Sequence, residues 1–219
     1  MLRLLFEKKG RAVWISHLDL MRLFQRAFKR AELPLTHTQG FNPRPSVSIA
    51  LPLSVGVESS CELLDFTLEG AEVPCQEICR RLNEKLVEGI RVLQVYEDGR
   101  KLKDLRLLSC RVTLEYDNGV PSGAPETVSA LFAQPELLVE KRTKNNGMQE
   151  QNIIPMIRNL QVEAGEKHLV LNALVYCQNP TLNPALLVSA IERYLPELTP
   201  SFSHCARLEI YDEQEQVFR

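Results

Sequence analysis

Apolar residues along the first hundred positions switch repeatedly between a period of two and a helical period. Leu2, Leu4 and Phe6 alternate with their neighbours, which predicts a strand over residues 2 to 8. From Ser16 the spacing changes. Leu20, Leu23, Phe24, Ala27, Phe28 and Ala31 recur on one helical face, Ser16 and Asp19 form a capping box in front of them, and Leu33-Pro34 ends the helix. Alternation returns from Ser46 to Leu53 and from Glu62 to Leu68, giving two half-buried strands. Pro74 then opens a helix to about Glu88 with Cys75, Ile78, Cys79, Leu82 and Leu86 on one face, and Ile90 to Tyr96 reads as a strand.

The second half repeats much of this order. A strand is predicted at Ser109 to Tyr116, a helix opened by Pro125, a strand at Glu136 to Lys141, and a tight turn at Asn146-Gly147. Strand-like runs come next at Leu160 to Glu163 and His168 to Tyr176. Asn183-Pro184 supplies an N-cap and first-turn pair to a helix ending near Tyr194-Leu195-Pro196, and Cys205 to Tyr211 closes the chain as a strand. The expected fold is therefore α+β: two tandem ferredoxin-like units of order β-α-β-β-α-β, the second with one or two additional strands. Residues 1 to 97 form the first unit and 107 to 219 the second. Between them residues 98 to 106 belong to a highly charged linker.

Composition adds a polarity to this plan. The 219 residues carry a formal charge of only −2, yet residues 1 to 50 hold nine Lys or Arg against three acids, a local +6 that leaves −8 for the rest. The front of the molecule is basic. Met1 to Phe6 is too short for a signal-peptide core, and the long uncharged stretch from His168 to Ile191 is broken by Pro180 and Pro184, so a cytoplasmic protein with no membrane span is expected. Six cysteines without a C-x-x-C pair read as reduced thiols, Cys75 and Cys79 as small packed side chains. His168, Cys177, His204 and Cys205 have no metal-motif spacing. With no glycine-rich phosphate loop, zinc-helix or iron-sulfur motif in the chain, neither a cofactor nor a metal is expected.

Two constellations carry candidate chemistry. Helix residues Arg22, Arg26 and Arg30 recur every four positions with Lys29 among them, opposite the apolar face, and Asp19, the one acid ahead of them in the helix, has a cap to make. They present a solvated face or await a ligand anion. The segment from Thr36 to Ser46 is the second. Gly40 permits a positive φ, while Pro43 and Pro45 hold Asn42 and Arg44 extended, so a stiff loop should present His37, Gln39, Phe41, Asn42 and Arg44. Phe41 then either plugs the seam between helix and sheet or offers a face to a base. A guanidinium for phosphate, an aromatic ring for stacking and an amide for a base edge are what single-stranded or looped RNA requires. Arg22, Arg26, Lys29, Arg30 and Arg44 are accordingly assigned to phosphates, Phe41 to stacking and Asn42 to a base edge. Asp65, on the opposite strand face from Leu64 and Phe66, is either functional or solvated on an open sheet face. No nucleophile stands beside a histidine and a carboxylate in any recognisable pattern, so no catalytic residue is assigned.

Three runs carry a resemblance. Trp14-Ile15-Ser16-His17-Leu18-Asp19-Leu20-Met21-Arg22, Gln39-Gly40-Phe41-Asn42-Pro43-Arg44-Pro45 and Leu51-Pro52-Leu53-Ser54-Val55-Gly56-Val57-Glu58-Ser59 resemble the radical SAM-linked domain family, domain of unknown function 2344. The resemblance implies a bacterial cytoplasmic protein fused to, or encoded beside, a radical S-adenosylmethionine protein, and no established activity. Any radical chemistry would belong to that partner, since the chain has no such cysteine motif. A more distant likeness is to two-domain tRNA pseudouridine synthases, whose nucleophilic aspartate lies in a Thr-Asp-Ala-Gly loop. The comparable loop here reads Thr38-Gln39-Gly40-Phe41, and an amide at Gln39 supplies no nucleophile. The expected function is RNA binding, to tRNA or rRNA, by an accessory protein linked to a radical SAM protein. The alternatives are a protein-protein adaptor on that enzyme and a divergent RNA-modifying enzyme.

Overall fold

The computed structural model of the protein describes residues 1–70, 72–142 (the last by its backbone) and 147–219. The fold is mixed α+β with antiparallel strand pairing and, among the described residues, four α-helices, none long and apolar enough to cross a membrane. Contacts divide it into two units, residues 1–104 with Arg219, and residues 105–218.

In the first unit the order is β1 (Leu2–Lys8), α1 (His17–Arg30), β2 (Val47–Ile49), β3 (Glu58–Phe66), α2 (Cys75–Asn83) and β4 (Ile90–Glu97). β1 lies between β4 and β3, and β2 pairs with β3, all antiparallel. The alternation read from the sequence sets one sheet face: Leu4, Phe6, Leu64, Phe66, Val92 and Val95 pack with Leu20, Phe24, Ala27 and Phe28 of α1 and Ile78 and Leu82 of α2. Phe6 meets Phe24 edge-on and Phe28 meets Phe66, each pair with centroids 4.8 Å apart.

Several expected boundaries move for local reasons. β2 stops at Ile49, short of the expected Leu53, because Leu51 takes a positive φ of 47° and Pro52 has no N–H to give a ladder. β3 starts at Glu58, well before Glu62, where Ser59 pairs with Lys8. α2 ends at Asn83 rather than near Glu88. The Asn83 amide instead closes on β4, donating to the Val92 carbonyl and accepting the Val92 N–H, both at 2.8 Å.

The second unit comprises β5 (Leu107–Glu115), α3 (Ala124–Phe132), β6 (Leu138–Arg142), β7 (Met148–Asn152), β8 (Ile157–Ala164), β9 (His168–Tyr176), α4 (Ala185–Tyr194) and β10 (Phe202–Tyr211). Its strands run β10-β5-β9-β8, while β6 and β7 form a separate hairpin. The expected Asn146-Gly147 turn includes Asn146, which is outside the described residues. Pro184, not Asn183, is the N-cap of α4, and Asn183 Oδ1 accepts the Ala185 N–H at 3.1 Å. All six cysteines are free thiols. His168 opens β9 and Cys177 follows its last residue, about 30 Å apart at strand rise, so the four-ligand set of histidines and cysteines is not assembled.

Candidate nucleic-acid interface

Helix α1 is fixed from its start. Ser16 is the N-cap, its hydroxyl oxygen accepting the Asp19 N–H at 3.3 Å and its O–H donating to Asp19 Oδ2 at 2.7 Å. Phe24, Ala27 and Phe28 anchor the inner face, which leaves Arg22, Arg26, Lys29 and Arg30 exposed on the outer one. Asp19 makes the expected cap, but the expectation that the cap leaves it no reach to the cations of its own helix is corrected. Its second oxygen accepts from Arg22 Nη1 at 3.0 Å, and the Ser16 hydroxyl and then the Arg22 guanidinium hold its carboxyl below the usual aspartate range. Arg30 is also engaged, donating from Nη2 to the Lys85 carbonyl at 2.8 Å. The side chains of Arg26 and Lys29 make no hydrogen bond or ion pair among the described residues.

The segment after the helix is a short two-stranded arm. Ser46 N donates to the Thr36 carbonyl at 2.7 Å, His37 bridges to Pro45, and Thr38 N donates to the Arg44 carbonyl at 2.9 Å. Arg44 N in turn donates to Thr38 Oγ1 at 3.1 Å. Gln39, Gly40, Phe41, Asn42 and Pro43 form the tip, all exposed. Gly40 has a φ of +135°, a conformation an L residue rarely adopts, which explains glycine at the turn. Phe41 does not plug the seam of helix and sheet. It is fully solvent-exposed, an unusual placement for an aromatic ring that nothing in the unit covers, and Arg44 beyond it is exposed too.

The arm is tied to α1 at its base, where Gln25 Nε2 donates to the Pro45 carbonyl at 3.3 Å. At about 100° per residue, Lys29 lies roughly 40° from Gln25 around the helix, so it borders the arm. Between them opens a cleft of ≈ 390 Å³, lined by Phe28 and Leu33 to Leu35 below and by Lys29, His37, Pro45 and Glu69 above. Glu69 is set by its N–H, which donates to the Pro34 carbonyl at 2.8 Å, and its Oε1 lies 3.7 Å from His37 Nδ1. The structure thus brings Lys29 and His37 to one cleft with Arg44 on the arm above. It places Arg30 toward Lys85. Glu69 and Gln25 were not singled out in the sequence; Gln25 carried a signal, four residues before Lys29 on the same helical face, and Glu69 carried none.

Two other charged groups are structural. Asp65 is not solvated: it is 8% exposed, and both its oxygens accept from Arg3, at 2.5 and 3.0 Å. Lys8 is buried with Nζ donating to the carbonyls of Val13 and Ile15, closing the 3-10 turn (Gly10–Trp14) that leads into α1. Burial pushes its ammonium below the usual lysine range, with Glu62 opposing. Among the described residues no cluster of three His, Cys, Asp or Glu could hold a metal ion.

A family model described as "Uncharacterized protein conserved in bacteria (DUF2344)" matches residues 1–184. No curated protein matches the chain. Among solved structures, the chain is similar to one described as "Crystal Structure of a Cbf5-Nop10-Gar1 Complex", at 10% identity and a TM-score of 0.47, over 97% of this chain and 50% of that one. The chain spans about half the length of that relative. It is also similar to "Crystal Structure of an Unknown Protein from Galdieria sulphuraria", at 14% identity and a TM-score of 0.26, over 94% of this chain and 96% of the other.

Proposed function

The chain belongs to the DUF2344 family of bacterial proteins, and we propose that its first unit binds structured RNA, tRNA or rRNA, through α1 and the arm. One observation carries this reading: Arg26, Lys29 and Arg44 lie open to solvent without side-chain partners among the described residues, beside an arm that holds Phe41 fully exposed. Cations with no internal anion suit phosphates, and an uncovered ring on a stiff turn suits a base. Asn42 at the tip reads a base edge, with Gln39 and Gly40 shaping the turn. Arg22 and Arg30 join the phosphate set by exchanging Asp19 and the Lys85 carbonyl for the ligand. No catalytic residue is assigned, and Gln39 at the tip has no nucleophile to offer.

The same proposal takes each unit as a ferredoxin-like domain, 1–97 and 107–219, joined by residues 98–106. The strand orders β4-β1-β3-β2 and β10-β5-β9-β8 support it. The protein acts in the bacterial cytoplasm as an accessory to a radical SAM protein that performs the chemistry. Exposed Trp14, Leu18 and Val55 at the front of α1 favour a second reading, an adaptor that docks on that protein.

Titration of single-stranded RNA and of tRNA transcripts across salt concentrations tests the first reading. The five phosphate contacts give a slope of about −3.5 in log affinity against log salt, and changing Arg26 and Lys29 to Ala together flattens it by about 1.4. Phe41→Ala weakens binding with little change of slope. If the double variant binds as the wild type does at every salt concentration, the open cations are a solvated helix face and the reading fails.

A further inference from the structure

The cleft at the base of the arm carries an anion across from the Lys29 ammonium. Its floor is apolar: Phe28, Leu33 and Leu35. Pro45 supplies a flat saturated ring at one wall, and Lys29 stands at the rim. A volume of ≈ 390 Å³ falls within the range of about 300–1,000 Å³ usual for small-molecule pockets, enough for one nucleotide unit. The rim anion is Glu69, held in register by its N–H on the Pro34 carbonyl and by the neighbouring bridge of Leu35 to Leu68.

A carboxylate facing a polyanion is unfavourable unless it accepts hydrogen bonds from it, because it has acceptors only. Base chemistry decides which ligand satisfies that demand. Guanine alone presents two adjacent donors, N1–H and the N2 amino group, on its pairing edge, and these match the two oxygens of one carboxylate. Adenine and cytosine place an acceptor nitrogen beside their single amino group, and uracil flanks one N–H with two carbonyls, so each sets a lone pair against a carboxylate oxygen. His37, with Nδ1 3.7 Å from Glu69 Oε1, stands close enough to that edge to supply the donor that guanine O6 needs. Lys29 is placed for the phosphate of the same nucleotide, and Arg26 for a neighbouring one.

Building on the RNA-binding reading, we infer that this cleft receives one unstacked guanine of the bound RNA, with Glu69 as the residue that selects it. The specificity is read at the cleft, while Phe41 on the tip stacks on bases without regard to identity.

Fluorescence anisotropy of the full chain with labelled oligouridines of about ten nucleotides, each carrying one central G, A, C or U, tests the assignment at a length typical of single-strand sites. The wild type is expected to bind the guanine oligonucleotide roughly tenfold or more tighter than the other three, as a good bidentate base contact gives. Glu69→Gln, at an exposed position, replaces one acceptor by a donor and is expected to remove that advantage, bringing the guanine oligonucleotide level with the other three. Changing Arg26 and Lys29 to Ala weakens all four alike. Equal binding of the four oligonucleotides by the wild type, or a guanine preference that survives in Glu69→Gln, overturns the guanine site and leaves RNA binding standing. Absence of binding to these oligonucleotides and to tRNA transcripts removes both.

Discussion

Helices α1 and α2 pack on the same core and each turns guanidinium groups to solvent, yet they handle that charge in opposite ways. In α2, Glu77 accepts from Arg80 Nη2 at 2.8 Å and Nε at 2.9 Å and from Arg81 Nε at 2.6 Å, and Arg80 also pairs with Glu84. Two cations meet two anions at helical spacings, and the face is internally neutral. In α1, four cations follow a single Asp19, which hydrogen-bonds Arg22 and acts on Arg26 only through longer-range attraction. The carboxylate nearest to Lys29 in sequence, Glu32, sits past the helix end at a φ of 56°. A helix rich in arginine is therefore not by itself a binding face. What distinguishes α1 is that, within the helix, no carboxylate stands three or four residues from Arg26 or Lys29.

The sharpest way to break this contrast is to ask which cations the fold depends on. Asp65→Ala takes both hydrogen-bonding oxygens from the buried Arg3 guanidinium and is expected to cost about 3–5 kcal/mol, as leaving half of a buried ion pair does. Arg26→Ala with Lys29→Ala is expected to stay within about 0.5 kcal/mol of the wild type, as exposed substitutions away from packed features do. Urea denaturation measures both. Comparable losses from the two variants would mean that α1 spends its cations on stability, as the buried strand does.

Much of α1 was readable because its information is local: the Ser16 cap, the apolar stripe and the breaking Leu33-Pro34 lie within one continuous segment. The arm was readable for the same reason, since Gly40, Pro43 and Pro45 dictate its backbone. What escaped depends on partners far along the chain. Asp65 looks solvated by alternation, but Arg3, 62 residues away, meets it on that face. Arg30 looks free until the Lys85 carbonyl arrives beside it, and Glu69 reaches the cleft only through the pairing of Leu35 with Leu68. β7 escaped for another reason: Met148–Asn152 reads MQEQN, with no apolar alternation to mark a strand. Period reveals which side of an element is apolar, and it is silent on what the polar side finds.

Converting α1 to the chemistry of α2 gives a smaller and more selective effect. Arg22→Glu places a carboxylate four residues before Arg26, the spacing that joins Glu77 to Arg81. Its new pair, worth about 0.2–0.5 kcal/mol, is offset by repulsion from Asp19 three residues earlier, so stability is expected to change little. RNA affinity is expected to fall roughly tenfold, about 1.4 kcal/mol, with a slope flatter by about 0.7 to 1.4 because one cation is lost and another is neutralised from within. Unchanged affinity would show that the openness of Arg26 is not used.

The smallest expected effect tests the α2 side of the comparison. Hydrogen bonds from Arg80 and then Arg81 pull the Glu77 carboxyl down to about 2 from the ordinary glutamate range. The folded state thus binds this proton less readily than the unfolded one. The stabilisation Glu77 gives is therefore complete above the unfolded value near 4.5, declines as the pH falls below it, and is gone once the pH passes below about 2. Because the group is solvent-exposed, the contribution is small, and it is best read as a difference between two proteins. Wild type and Glu77→Gln are expected to differ by a constant margin in urea midpoint from pH 7 to about pH 5, and to converge by about pH 2. A carboxyl carbon resonance of Glu77 should titrate with a midpoint near 2. A midpoint in the ordinary glutamate range, with no convergence of the two proteins, would mean that the α2 guanidiniums are held no more tightly than those of α1, and the contrast between the helices would then rest on sequence spacing alone.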